Sequence, residues 1–411
     1  MHGNVIVGQS GGPTAVINSS LVGVYKTAKD RGAKKVYGML HGIKGLLDRQ
    51  YVDLSEHIKS DLDIDLLKRT PSSFLGSCRF KLPEIKDGKE VYDKIFDILT
   101  ELEIEAFFYI GGNDSMDTIK KLSDYAILIS SDIKFMGVPK TIDNDLACTD
   151  HTPGFGSAAK YIASATKEII RDGLVYDYPV ITILEIMGRN AGWLTAATAL
   201  SKGEDCEGVD MIFLPEVPFD IDKFMAKVKE LCQGQKSIVI AVSEGIKVAD
   251  GRYVFELTDH VEFVDAFGHK QLQGSAKFLS DKIGNELGVK SRAIELSTLQ
   301  RCASHMTSRV DITEAFQVGG AAVKAAFEGD TGKVVVLERV SEDPYICTTS
   351  TQDVHKIANV EKKVPLEWIT DDNTFVSEEL IHYIRPLIQA ELSPVMVDGL
   401  PRHLRLDLGA K

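Results

Sequence analysis

Ala106-Phe107-Phe108-Tyr109-Ile110-Gly111-Gly112-Asn113-Asp114-Ser115 is an apolar run that stops at two glycines, and a helical pattern follows from Met116. A strand that enters a helix through a glycine turn leaves backbone N–H groups open at the helix N-terminus, where an anion can be held. The pattern recurs. Residues 4–7 form an apolar run, Gly8-Gln9-Ser10-Gly11-Gly12-Pro13 follows, and then a helical pattern begins. Residues 135–138 form another run, ending in Pro139-Lys140-Thr141-Ile142-Asp143-Asn144-Asp145. Further strand candidates at residues 35–39, 180–186, 211–214, 238–242, 293–296 and 334–337 are mostly separated by helical stretches. Such a rhythm predicts an α/β fold with mainly parallel sheets covered on both faces. Met187-Gly188-Arg189 and Ser243-Glu244-Gly245 also stand just after strands, at the ligand-binding end of an open α/β sheet.

With 411 residues, 44% of them hydrophobic, the chain can bury a large core, and at roughly 100–200 residues per domain it divides into two or three. A helical pattern at residues 155–171, stopped near Gly173, is the expected crossing from a first sheet to a second. A net charge of −13 argues against broad binding to nucleic acid or anionic membranes, so an anionic substrate must be met by local arginines and lysines. The six cysteines are scattered without a C-x-x-C pair, so neither a disulfide framework nor a zinc ribbon is indicated, and a reducing cytoplasm is the simplest home. An export leader and a transmembrane run are not expected. The ten histidines form no H-E-x-x-H spacing.

Residues 139–145 bring a lysine, a threonine hydroxyl and two carboxylates together. Asp143 or Asp145 can take a proton from a hydroxyl, and Lys140 can hold the phosphate that the hydroxyl attacks. In an extended segment these two carboxylates share a face, while the same Asp-Asn-Asp run is good turn chemistry. Asp114 has three readings: a helix N-cap, a charge that excludes part of a polyphosphate chain, or a ligand of Mg2+ by way of water. Arg79, Arg189, Arg292 and Arg301 supply positive charge in a fork that suits phosphate oxygens.

Taken in order, Ser10-Gly11-Gly12, Leu75-Gly76-Ser77-Cys78-Arg79-Phe80, the Gly111-Gly112 segment, residues 139–145, Met187-Gly188-Arg189, Ser243-Glu244-Gly245, and Arg292 followed by Gln300-Arg301 resemble the phosphofructokinase family from Val5 to about Glu338. The resemblance implies two Rossmann-like, doubly wound domains: a discontinuous phosphoryl-donor domain of residues 1–153 and 301–345, and a sugar-phosphate domain of residues 154–300 and 346–411. It implies Asp143 as the base for the 1-hydroxyl of fructose 6-phosphate, with Lys140 and Arg189 also catalytic. Gly11, Gly12, Arg79, Gly111, Gly112, Asp114 and Ser115 would bind the donor. Thr141, Asp145, Met187, Gly188, Glu244 and Arg301 would bind the sugar phosphate, and Arg292 would reach a neighbouring subunit's 6-phosphate. Mg2+, held through Asp114 and Asp145, and a homodimer or homotetramer are implied as well.

ATP-using members of the family usually carry glycine where Asp114 stands, and many carry glycine at the place of Lys140. Aspartate and lysine there resemble the pyrophosphate-dependent branch: Asp114 would repel a nucleotide's α-phosphate, and Lys140 would bind the compact donor. Asn113, Thr298, Val180 and Val22 depart from the family pattern, at a metal position, two sugar-phosphate positions and a nucleotide-effector position respectively. The expected activity is reversible phosphoryl transfer from pyrophosphate to fructose 6-phosphate. An ATP-dependent enzyme, a relative using polyphosphate or sedoheptulose 7-phosphate, and a non-catalytic regulatory subunit remain as alternatives.

Overall fold

Period-two alternation sends successive strand residues to opposite faces, and here both faces are apolar. Val5 and Val7, Ala106, Phe108 and Ile110, Met136 and Val138, Val335 and Leu337 enter one buried cluster. Their neighbours Ile6, Phe107, Tyr109, Phe135, Val334 and Val336 enter another. The computed structural model, which describes residues 3–257 and 272–408, builds these runs into β1 (Asn4–Gln9), β4 (Ile104–Gly111), β5 (Lys134–Pro139) and β10 (Lys333–Glu342). With β2 (Val36–Met39), β3 (Tyr51–Asp53) and β11 (Tyr345–Asp353), they form a seven-stranded sheet in the order β11-β10-β5-β4-β1-β2-β3. The five inner strands pair in parallel; β3 and β11 close the two edges antiparallel. The α/β class and the mainly parallel pairing follow the sequence reading.

This sheet belongs to a compact unit of Met1–Ser157, Arg301–Glu361 and Gln389–Lys411; Ala158–Gln300 and Lys362–Ile388 form a second. In the second unit β6 (Val180–Ile186), β7 (Met211–Phe213), β8 (Ser237–Ser243) and β9 (Lys290–Glu295) make a wholly parallel sheet in the order β7-β8-β6-β9. Ile181, Ile183, Ile238, Ile240 and Val242 pack there with Phe224, Val228, Leu279 and Ile283 from the helices Ile221–Gly234 and Ser275–Leu287.

The boundary near residue 345 is corrected. Residues 346–361 and 389–411, assigned from the sequence to the second domain, fall in the first unit. β11 continues the sheet by pairing with β10 over Lys333↔Asp353 to Glu342↔Tyr345, and Leu404 N donates to Thr70 Oγ1 at 2.9 Å. Only residues 362–388 of the tail join the second unit. There Trp193 meets Trp368 edge-on at 6.2 Å and Tyr383 at 5.3 Å, and its indole N–H donates to Lys362 O at 3.1 Å. Among the described residues no helix is long and apolar enough to cross a membrane.

The helices Ile17–Asp30 and Arg309–Phe327 pack backbone to backbone on one face of the larger sheet. A Cβ on Gly23 would stand 2.1 Å from Phe316 O, and one on Gly319 would stand 2.1 Å from Ser20 O. Neither contact can be relieved by a side-chain rotation, since both partners are main-chain atoms. Gly23→Ala or Gly319→Ala should therefore destabilise the protein by about 3 kcal/mol or more, as overpacking does, despite alanine's better helix propensity. Chemical denaturation measures this, and an unchanged midpoint would show that the helices separate at little cost.

Candidate functional site

Three loops follow the adjacent parallel strands β1, β4 and β5. Ser10 N donates to Ile110 O at 3.0 Å, and Lys140 N donates to Gly111 O at 3.0 Å, so each loop leaves the sheet still bonded to its neighbour. Gly11 has φ +76°, a conformation that glycine alone adopts without strain. Lys140 Nζ donates to Gly12 O at 2.6 Å, and a Cβ on Gly12 would lie 3.2 Å from Arg301 Nη1. Arg301, expected among the sugar-phosphate residues, thus stands beside the first glycine turn. Lys140 is almost fully buried. Burial pushes its ammonium down to about 8 against the attraction of Asp143 and Asp145, with Arg301 adding to the depression.

Gly112 is the N-cap of the helix Asn113–Leu128, and no side chain caps that end. Asp114 is therefore the second helical residue rather than the N-cap; it is exposed, in the first turn, where its charge faces the helix dipole favourably. Gly111 is required by space: a Cβ there would stand 1.9 Å from Ser115 Oγ. Asn113 Oδ1 is buried and accepts no hydrogen bond among the described residues. Arg79 is exposed on an irregular loop whose Ser77 Oγ donates to Gly11 O at 2.7 Å.

The Asp-Asn-Asp segment is a turn, not an extended strand. Asn144 is left-handed at φ 56° and buried, with Oδ1 accepting from Thr152 N at 3.1 Å, so the face-sharing expected of an extended segment does not apply. Asp143 N donates to Thr141 Oγ1 at 3.1 Å. Burial, then the charges of Asp143 and Glu361, push the Asp145 carboxyl up to about 7. Glu361, sixty residues beyond Arg301 in the last sequence motif of the site, was not among the expected residues; Leu146 bridges to it in antiparallel fashion.

In the second unit, Met187, Gly188 and Arg189 follow β6 and Glu244 follows β8. Gly188 has φ +141°, and its N–H donates to Glu244 Oε1 at 3.3 Å. Met187 N donates to Gln300 Oε1 at 3.3 Å. A Cβ on Gly245 would lie 1.9 Å from Arg189 O, so the two motifs are packed main chain to main chain. Arg292 is apart from them. It pairs opposite Thr182 on the edge strand β9, five residues or roughly 16 Å of strand from Met187, and is 3.6 Å from Asp172. Val180 and Val22 are buried in their cores, and Thr298 is exposed.

The model of the family described as phosphofructokinase matches residues 4–326. The chain belongs to the phosphofructokinase family. A pyrophosphate–fructose 6-phosphate 1-phosphotransferase of Halomonas elongata is 38% identical over 407 residues, which span 98% of this chain and 96% of that relative. A protein of the same name from Xanthomonas campestris pv. campestris is 39% identical over 409 residues, with the same coverage. The crystal structure of a pyrophosphate-dependent phosphofructokinase from Nitrosospira multiformis matches with a TM-score of 0.88 at 35% identity, covering 98% of this chain and 96% of that one.

A buried ionic network supports the acidic turn of this phosphofructokinase-family chain, and no motif announced it. His151 lies between Asp150 Oδ1 (2.7 Å from Nδ1) and Glu314 Oε2 (2.6 Å from Nε2). Arg339 reaches Asp150 at 3.0 Å, and Tyr345 donates to Glu314 Oε1 at 2.7 Å. His151, Glu314 and Cys347 have metal-ligand spacing, but an imidazolium donating from both nitrogens offers no lone pair. The next residue, Thr152, donates its hydroxyl to Thr141 O at 2.8 Å. Burial would lower the His151 pKa, yet the Glu314 charge and the hydrogen bonds to Asp150 and Glu314 outweigh it and raise it to about 9. A histidine with a raised folded pKa contributes stability that is complete below its unfolded value near 6.5 and lost as pH rises through 9. Between pH 6 and 10 the denaturation free energy should fall by on the order of 3 kcal/mol more in the wild type than in His151→Gln. Parallel pH curves for the two proteins would show that the imidazole is neutral in the fold.

Proposed function

We propose that the protein transfers a phosphoryl group from pyrophosphate to the 1-hydroxyl of fructose 6-phosphate, giving fructose 1,6-bisphosphate and phosphate. The observation that carries the choice of donor is Lys140: an ammonium buried where the turns after β1 and β4 meet, in contact with Gly12 O. Its charge suits a compact anion held beside the glycine turn. Two negative phosphates arriving beside Lys140 would reverse the depression of its pKa and hold it charged. Asp114, in the first helical turn past Gly112, adds a negative charge that a nucleotide's extra phosphate would have to approach. The similarity to relatives named for pyrophosphate supports the same reading.

In this proposal Asp143 accepts the proton of the sugar hydroxyl as its oxygen attacks the phosphoryl group. Lys140 and Arg79 hold the donor, with Gly11, Gly12, Gly111, Gly112 and Ser115 supplying main-chain and hydroxyl donors. Arg189 balances the charge of the transferring group. Thr141, Asp145, Met187, Gly188, Glu244 and Arg301 hold the sugar phosphate, and Arg292, at the edge of its sheet, serves a neighbouring subunit in a homodimer or homotetramer. Because the bonds broken and formed are similar in energy, the reaction runs in both directions. Mg2+ fits the residues present. Asp145 is crowded by the charges of Asp143 and Glu361, Asn113 Oδ1 is a buried acceptor awaiting a partner, and few fixed ligands suit an ion that keeps waters and takes phosphate oxygens. Asp114 and Asp145 are the carboxylates proposed to hold it, and its contribution is to neutralise phosphate charge. The soluble interior of the cell is the proposed location.

Assays with fructose 6-phosphate and Mg2+, offering pyrophosphate, ATP and polyphosphate in parallel, test the donor. Turnover with ATP but not pyrophosphate would overturn the proposal. Asp114→Gly should admit ATP while weakening pyrophosphate use; an unchanged preference would remove Asp114 from the argument. Asp143→Asn should lower kcat by roughly a thousandfold with KM for pyrophosphate little altered, within the range general-base removal produces.

A further inference from the structure

The loop that carries Arg79 has no regular secondary structure between Thr70 and Cys78, yet its main chain is held by two amide side chains. Asn18, fully buried on the helix Ile17–Asp30, satisfies all of its hydrogen-bonding positions. Its Nδ2 donates to Thr70 O and Ser72 O, both at 2.8 Å. Its Oδ1 accepts from Phe74 N at 3.0 Å and from Gln9 Nε2 at 2.9 Å. Gln9, the last residue of β1 and also fully buried, accepts from Leu75 N at 2.9 Å through Oε1. Immediately after Gln9 comes the turn of Gly11 and Gly12, and Ser77 Oγ closes the circuit on Gly11 O at 2.7 Å. The lattice therefore joins the glycine turn to the segment that ends in Arg79.

We propose that Asn18 is a positioning residue for the phosphoryl donor: it fixes the place of Arg79 relative to the Gly11–Gly12 turn without touching the donor itself. The inference rests on the donor role proposed above for Arg79 and the glycine turn. No other side chain of this size presents two donors and two acceptors from one plane. Aspartate has nearly the same shape, and it keeps the acceptor that faces Phe74 and Gln9. Its second oxygen would meet the two carbonyls of Thr70 and Ser72 with no proton to offer, from a helix position that is itself fully buried. Buried acceptors left without donors are among the larger costs a polar substitution imposes. Even a protonated aspartate could donate to only one of the two carbonyls, so the loop is expected to move off the helix and take Arg79 along.

Steady-state kinetics and hydrogen–deuterium exchange on the full-length wild type, Asn18→Asp and Gln9→Glu test this. Gln9→Glu keeps the acceptor for Leu75 and leaves both carbonyl contacts of Asn18 in place, while replacing the donor to Asn18 Oδ1 by a buried carboxylate oxygen, so it serves as the second variant where Asn18→Asp fails to fold. The expected result is a KM for pyrophosphate raised about tenfold or more in Asn18→Asp and less in Gln9→Glu, with KM for fructose 6-phosphate within about twofold of wild type. In the reverse direction KM for phosphate should rise while KM for fructose 1,6-bisphosphate holds. Amides of residues 72–79 should exchange faster in the same order. Faster exchange with both substrates' KM values unchanged, or with both raised equally, would overturn the inference, since a purely structural role moves them together. Unchanged exchange in both variants would overturn it as well. A wild type inert toward pyrophosphate would instead overturn the proposed function and this inference with it, which the wild-type arm reads separately.

Discussion

Removing an ammonium from water costs several kcal/mol unless protein oxygens and neighbouring charges replace its hydration. Lys140 meets that condition with a carbonyl from one glycine turn and two nearby carboxylates, and the demand shapes everything around it. Gly12 must bring its carbonyl within reach, which requires the backbone of Gly11 to bend through a left-handed conformation. The main chain at Lys140 must stay bonded to Gly111, which requires β4 and β5 to run in parallel and end together. Asp143 and Asp145 must lie close enough to attract it, which requires the turn at Asn144. The depressed pKa that remains reflects incomplete compensation, which an anion bound beside the ammonium would offset.

The strands were legible because parallel strands buried on both faces are apolar throughout, as residues 106–110 and 334–337 are. β6 was bounded by the same logic at both ends. β11 was not legible, since Tyr-Ile-Cys-Thr-Thr-Ser-Thr-Gln-Asp alternates and is half exposed, as befits an edge strand; without it the fate of the tail could not be read. Within the site, Gly111, Gly188 and Gly245 were visible because each occupies a position that a side chain would obstruct. The contribution of Glu361 and the His151 network escaped notice, because they act through space between segments far apart in sequence. Asn18 escaped for another reason: an asparagine in a helical pattern carries no signal until the loop it holds is known.

The two arginines at the margins of the sugar-phosphate set show how far residue type alone can mislead about place. Arg301 and Arg292 are nine positions apart, and a phosphate role suits either. One stands beside the glycine turn of the first unit; the other lies on the open edge of the second unit's sheet, its guanidinium near Asp172 and 6.0 Å from the Tyr176 ring. An arginine on a sheet edge, away from the strand ends where the other motifs gather, is suited to a ligand presented from outside its own unit.

The chain passes between its two units at residues 157–158, 300–301, 361–362 and 388–389. Synthesis from the N-terminus therefore delivers residues 158–300, with all four strands of the smaller sheet, before β10 exists. The larger sheet, begun earliest, waits longest, because β5 lies next to a strand about two hundred residues downstream. Until then β5 is an open hydrophobic edge on the ribosome. The residues that complete it arrive about two hundred positions later, so losing them endangers strands made long before rather than those made last.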